Sequence, residues 1–414
     1  MSELQTNRPG GAFLVTIALL GFSAIATRAQ VTYSVTDLGS IQGSLFTDAS
    51  GLNEQGLATG TSFISLSPEF ETQGFVSQDG QITLLPALGG QFTFAAGINS
   101  RAHVVGTANL PGDRIGHASL WINGKVFDLG TLGGISSGAA AISNNEEIAG
   151  DSQISEGANF HAFFLGRGPM IDIGTLGGDN SFAFALNNRG LVTGQSDTTT
   201  VLNPLFGIPA FHGFLWSKGL LTDLGQIFGT DFNYGNDVND RDQVAGAADL
   251  PGDQTAHAFL LNDGKIQDLA PLAGDTLSAG FGINNRGQVV GVSSLSFVPA
   301  PFPPVNNFEC PCHAVIWEDG KATDLNTLIP ANSGWQLFDG VLINDRGQIA
   351  GDGMINNELH AFLLTPQHGT PSRTAAAAAN TDSTHTTISP DASPFVLGGL
   401  RVVRGRGRIS IQPY

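Results

Sequence analysis

One block recurs seven times along this 414-residue chain, and that repetition restricts the fold more than any other feature. Each copy has an apolar stretch ending at a turn residue, a glycine seven positions later, a His-Ala-Phe-like stretch and then Asp-Leu-Gly. The turn residue is Asn53, Asn99, Ser143, Asn187, Asn239, Asn284 or Asn344, and the glycine is Gly60, Gly106, Gly150, Gly194, Gly246, Gly291 or Gly351. Successive turn residues are 46, 44, 44, 52, 45 and 60 positions apart. A period of roughly 20–50 residues marks an array of supersecondary units, none of which can bury its faces alone.

Each copy reads as four short strands. In residues 182–224 they are 182–187 (A), 190–196 (B), 211–216 (C) and 220–224 (D), with Gly190 supplying the left-handed backbone of the A–B turn. Asn123-Gly124, Asp263-Gly264 and Asp319-Gly320 mark type I′ C–D turns. All four lysines, Lys125, Lys218, Lys265 and Lys321, fall at or just after C–D turns, where a solvated edge places them. Composition agrees: 55 glycines and 13% charged residues disfavour long helices, while 41% apolar residues argue against wholesale disorder. A four-stranded meander of this length is a propeller blade. The expected fold is therefore all-β, a seven-bladed β-propeller of four-stranded antiparallel blades over residues 30–366. The seventh copy stops after its C strand, and residues 32–39 (TYSVTDLG) place a D-type strand ahead of the first A. The N-terminal strand is expected to complete the last blade and close the ring.

The flanks differ in character. Residues 12–26 form an apolar core of 15 residues before Thr27-Arg28-Ala29, so residues 1–29 read as a signal peptide cleaved before Gln30. That core falls short of the ~20 residues a bilayer needs, and no stable membrane span is expected after cleavage. Residues 367–394, rich in Ala, Thr, Ser and Pro, read as a disordered linker. Residues 395–414 are an apolar, basic tail of unknown function with Arg401, Arg404, Arg406 and Arg408. A net charge of -18, with no basic stripe before the tail, argues against nucleic-acid binding. The acidity reads as a solubility feature, and the chain is expected to be a monomer.

At His161-Ala162-Phe163, His257-Ala258-Phe259 and His360-Ala361-Phe362, at the run Asp128-Leu129-Gly130-Thr131-Leu132-Gly133-Gly134 and at Ile283-Asn284-Asn285-Arg286-Gly287, the chain resembles the bacterial HAF family of probable extracellular repeat proteins. The match covers about residues 31–366. The resemblance implies an exported protein, secreted or held at the cell envelope, of a family without a well-established biochemical role.

The repeat histidines are His117, His161, His212, His257, His313 and His360, with Gln73 in the first copy. Equivalent positions on neighbouring blades lie too far apart to share a metal at ~2.0–2.1 Å. A two-residue turn at Asn123-Gly124 instead sets Ser119 opposite Asp128 and leaves His117 diagonal to that carboxylate on one face. The same spacing predicts structural pairs His161/Asp172, His212/Asp223, His257/Asp268 and His313/Asp324, and closure predicts His360/Asp37. The copy with Gln73 also loses the acid, having Leu84.

Cys310 and Cys312 read as a local disulfide or as free thiols, since two thiols and His313 fall short of a four-ligand site. No cofactor or metal is expected. No His-Glu-x-x-His helix or Lys-bearing phosphate loop is present, and the Gly-x-Ser-x-Gly string Gly134-Ile135-Ser136-Ser137-Gly138 belongs to a glycine-rich crossover that precedes a strand rather than a helix, unlike a nucleophile elbow. Length varies at 195–211, 292–312 and 325–343, and in a meander these connections all leave one end of the ring. They carry Phe206, Phe211, Phe297, Phe302, Phe308, Trp335 and Phe338, which serve either as ligand-binding aromatics or as local caps on the blades. The expected function is a non-catalytic binding scaffold for a glycan or envelope protein. A secreted hydrolase or lyase acting on polysaccharide and a purely structural surface protein are the alternatives.

Overall fold

In the computed structural model the described residues are 31–65, 71–155, 159–202, 208–252, 255–295 and 312–367, with the backbone of 400–405 and 408–413. The expected signal peptide and linker lie outside them. Seven four-stranded antiparallel sheets succeed one another, and six are simple A-B-C-D meanders. The seventh combines Gln336–Ile343, Ile349–Ile355 and Glu358–Gln367 with the N-terminal strand Thr32–Asp37 at its outer edge. Val35 lies opposite Leu364 and Asp37 opposite Phe362, so the two ends of the ring are joined by a strand ladder. The fold is a seven-bladed β-propeller, closed as its sequence repeat predicts. Leu400–Gly405 and Arg408–Pro413 form a separate hairpin in the tail.

The repeat motifs have distinct packing reasons. The Phe of His-Ala-Phe fills the blade: Phe75, Phe163, Phe214, Phe259 and Phe362 are each 0% exposed. Each stands directly across from a strand-B glycine, namely Gly60, Gly150, Gly194, Gly246 and Gly351. On the other side every strand A carries a β-bulge beside that glycine, as between Ala183 and Ala185. A Cβ at any of the seven glycines would overlap a strand-A carbonyl oxygen: that of Phe182 at Gly194, of Ala279 at Gly291.

The C–D turns at Asn123-Gly124, Asp263-Gly264 and Asp319-Gly320 have positive φ at both residues, as type I′ requires. In the A–B turns the third residue after the turn Asn always has positive φ. It is Gly in four blades but Ala102, Glu146 and Asp242 in the others. Those carboxylates have a use, because Asn99 Nδ2 donates to Glu146 and Asn187 Nδ2 to Asp242.

The turn Asn holds neighbouring blades together. Asn53 Oδ1 accepts from the amides of Gln55 and Leu57, while its Nδ2 donates to the carbonyl of Asn99 in the next blade at 3.1 Å. Equivalent bonds run from Asn99 to Ser143, Asn187 to Asn239, Asn239 to Asn284, Asn284 to Asn344 and Asn344 back to Asn53. The circuit breaks only where Ser143 stands for Asn. Its Oγ accepts from Asn145 and Glu147 but has no amide to offer Asn187. Ser143→Asn should close the circuit and add about 1 kcal/mol of stability, read as a higher urea midpoint. An unchanged or lower midpoint would show that the ring bonds carry no net stability.

Candidate functional site

The ring bonds place all seven A–B turns at one end of the axis. In a meander the C–D turns share that end, and the B–C and D–A connections leave the other. The two ends are chemically different.

At the turn end a polar funnel of about 150 Å³ lies on the axis. The residue after each turn Asn lines it, including Glu54, Ser100, Asn144, Asn188, Asp240 and Asp345. These side chains form a second circuit: Asn188 N donates to Asp240 Oδ1 at 2.8 Å, Asn285 N to Asp345 Oδ1 at 2.7 Å and Asp345 N to Glu54 Oε1 at 3.0 Å. The funnel's carboxylates are thus already accepting backbone amides. Beside it, burial works against a charge on Glu146, but hydrogen bonds and attraction from His103, with Arg101 and Asn99, hold its carboxyl below the usual range.

At the connection end the His–Asp pairs form a rim. His117, His161, His212 and His257 each place Nδ1 at 2.8–2.9 Å from Asp128, Asp172, Asp223 and Asp268. Asp128, Asp172 and Asp223 also accept the amide of the glycine two residues on, fixing the start of the crossover. Ser119 does face Asp128. One pair differs from its expectation. His313 Nδ1 lies 3.1 Å from Asp275, not Asp324. Asp324 is followed by Leu325-Asn326 rather than Leu-Gly, and its carboxylate caps the 3-10 turn Leu325–Leu328 by accepting from Asn326 N. That use turns it away from the histidine.

His360 and Asp37 meet at 2.8 Å and join the first strand to the last blade. Burial opposes the charge on Asp37, but the His360 hydrogen bond, the Gly39 amide and attraction to His360 hold its pKa below the ordinary 3.8. The Asp37 bond raises His360 above its ordinary 6.5 against the pull of burial, with Glu358 adding to it. A lowered acid stabilises above its unfolded value and loses that as pH falls through the folded one. A raised histidine stabilises below its unfolded value and loses that as pH rises through the folded one. The pair should therefore contribute most between 3.8 and 6.5. The urea midpoint of wild type should exceed that of Asp37→Asn most near about pH 5 and by less at about pH 8. A gap independent of pH would contradict the pairing.

The seven candidate aromatics divide. Phe206, Phe297, Phe302 and Phe308 lie outside the described residues. Phe211 packs edge-on against Phe232 at 5.3 Å, Trp335 against Phe362 at 5.9 Å, and Phe338 is 6% exposed. Phe338 is buried, and Phe211 and Trp335 are half-buried against these neighbours. The crossover at 325–343 is correspondingly core, with Leu325, Leu328 and Leu337 buried beside Phe362. The described part of the insertion at 195–211 is strand but for Ile208, with a register shift between Asp197 and Leu202. Strands Val192–Leu202 and Pro209–Ser217 run past the blade as an extended hairpin, with Leu202 opposite Pro209. Val201 on it is 71% exposed, and Leu295, at the edge of the other insertion, is 49% exposed. Cys312 opens its strand and carries a disulfide bond; Cys310, the other cysteine in the sequence, lies outside the described residues. Among the described residues no three His, Cys, Asp or Glu side chains are grouped to hold a metal, and no helix is long and apolar enough to cross a membrane.

The topology makes this chain a β-propeller of the closed, seven-bladed class. No family model and no curated protein matches it. Among solved structures, the β-propeller domain of the Trilobed protease from Pyrococcus furiosus, described as having an open velcro topology, is 8% identical with a TM-score of 0.48, over 84% of this chain and 99% of that one. A structural-genomics protein of unknown function from Bacteroides thetaiotaomicron is 10% identical with a TM-score of 0.33, over 81% of this chain and 98% of that one. Likenesses this distant carry no argument, and the fold rests on the strand topology.

Proposed function

We propose that this chain is an exported, non-catalytic scaffold of the HAF type whose connection end binds a glycan or an envelope protein. The observation that carries the reading is the confinement of inserted length to one end of a rigid ring, with the hairpin of blade four reaching beyond its sheet. Loops on a fixed scaffold are where recognition concentrates. The turn end, by contrast, keeps the same five-residue A–B turn in every blade and spends its polar groups on holding the blades together. Tyr33 and Tyr234 are pushed up to about 12, by burial first and then by Glu318 and Asp249.

The test compares the full chain with a variant in which residues 198–208 are replaced by Asn-Gly. Both are passed over a panel of polysaccharides and envelope fractions, with product analysis of every sample. Retention of the full chain, lost in the variant without released oligosaccharide, is the expected result. Equal retention of both would move the site elsewhere. Released oligosaccharides would make the chain an enzyme, and retention of neither would favour a structural role.

A further inference from the structure

The charges of the propeller are sorted by end. The described residues from 31 to 367 include 11 Lys and Arg and 29 Asp and Glu. Ten cations and ten acids stand in or flank the A–B and C–D turns, with arginine two residues after the turn Asn in five blades. What remains is Arg114 alone against 19 carboxylates in the strands and at the connection end. Asp151, Asp197, Asp237, Asp339 and Asp352 are buried; the others are half-buried or exposed. The turns themselves are neutral, and the net charge belongs to the strands and the connection end. Acidity serving only solubility has no reason to avoid one end.

A second, independent feature is the tail. Residues 395–414 hold four arginines and no acid. Their hairpin sets Arg401 opposite Gln412 and Arg404 opposite Ile409. A lone two-stranded hairpin is marginal in water and needs a surface beneath it. The 32 residues between Gln367 and Leu400 can span at most about 110 Å. Gln367 leaves from the turn end, and blade strands of six to eight residues span only about 20–27 Å. The connection is therefore long enough for the hairpin to reach the opposite end.

We propose that the cationic C-terminal hairpin docks in cis on the acidic connection end of its own propeller, covering it until a competing ligand displaces the tail. The inference does not require that ligand to be a glycan.

Trypsin cleavage at Arg401, Arg404, Arg406 and Arg408 of the full chain, followed by mass spectrometry, reads the docking. At about 0.01 M salt, where charges act over ~30 Å, cleavage should be at least about tenfold slower than in the free 395–414 peptide. At about 1 M salt, where they act over ~3 Å, the two rates should converge. The variant Asp179→Asn, Asp231→Asn, Glu358→Gln leaves every cleavage site intact and should lose much of the low-salt protection. Its urea midpoint, kept near that of wild type, excludes unfolding as the cause. Rates equal to the free peptide at all salts, or protection indifferent to the acidic-end substitutions, would overturn the proposal. Protection that rises with protein concentration would also overturn it, by placing the tail on a second copy.

Discussion

Deleting residues 31–38 should abolish cooperative unfolding of the whole ring, not weaken one blade. Thr32–Asp37 makes six register pairs with the last blade, and Tyr33 and Leu38 are 5% and 1% exposed. Leu38 N donates to Ala361 O, while Ser77 Oγ of the first blade donates to Leu38 O, so the segment ties blade seven to blade one. Two buried side chains contribute about 3–6 kcal/mol and each ladder bond about 1 kcal/mol. Domain stability as a whole is only about 5–15 kcal/mol. Urea unfolding followed by circular dichroism should show a broad, low transition for the deletion and a sharp one for the intact chain. A sharp transition within about 1 kcal/mol of wild type would mean the ring does not depend on this strand.

Gly291→Ala should cost about 3 kcal/mol or more, although the change adds one methyl group. The residue does not have positive φ, so conformational freedom is not the reason. The new Cβ would overlap the Ala279 carbonyl oxygen beside the bulge between Gly280 and Gly282. The obstacle is backbone, which can retreat only by parting strands A and B. Gly168→Ala is the control: no atom lies within 4 Å of its Cβ, and it should stay within about 0.5 kcal/mol of wild type. Equal urea midpoints for the two variants would refute this account of the repeated glycines.

What could be read from sequence was what lies close along the chain or repeats. The His–Asp pairs join residues 11 apart across one hairpin, so turn type and strand alternation sufficed to find them. Closure was legible because the missing strand carries the same Asp-Leu-Gly signature at the other end. His313 escaped because Asn replaces Gly two residues after Asp324, and that change of turn redirects a carboxylate whose spacing is otherwise correct. The Asn circuit was hidden for another reason: its partners stand 44 to 60 residues apart, or 291 at the closure. The glycines were visible as a repeat, but their cause lies in a bulge on the adjacent strand. Trp335 and Phe338 looked like loop aromatics because the sequence does not show that their crossover folds down onto Phe362.

Amide hydrogen exchange of Thr32–Asp37 tests the closed ring most directly. The alternate amides of this edge strand that point at Glu358–Gln367, with that of Leu38 on Ala361 O, should exchange at the rate of the protected core of Glu358–Gln367, through global unfolding alone. Exchange at the rate of an unstructured extension, with Glu358–Gln367 still protected, would contradict the closure on which this account rests.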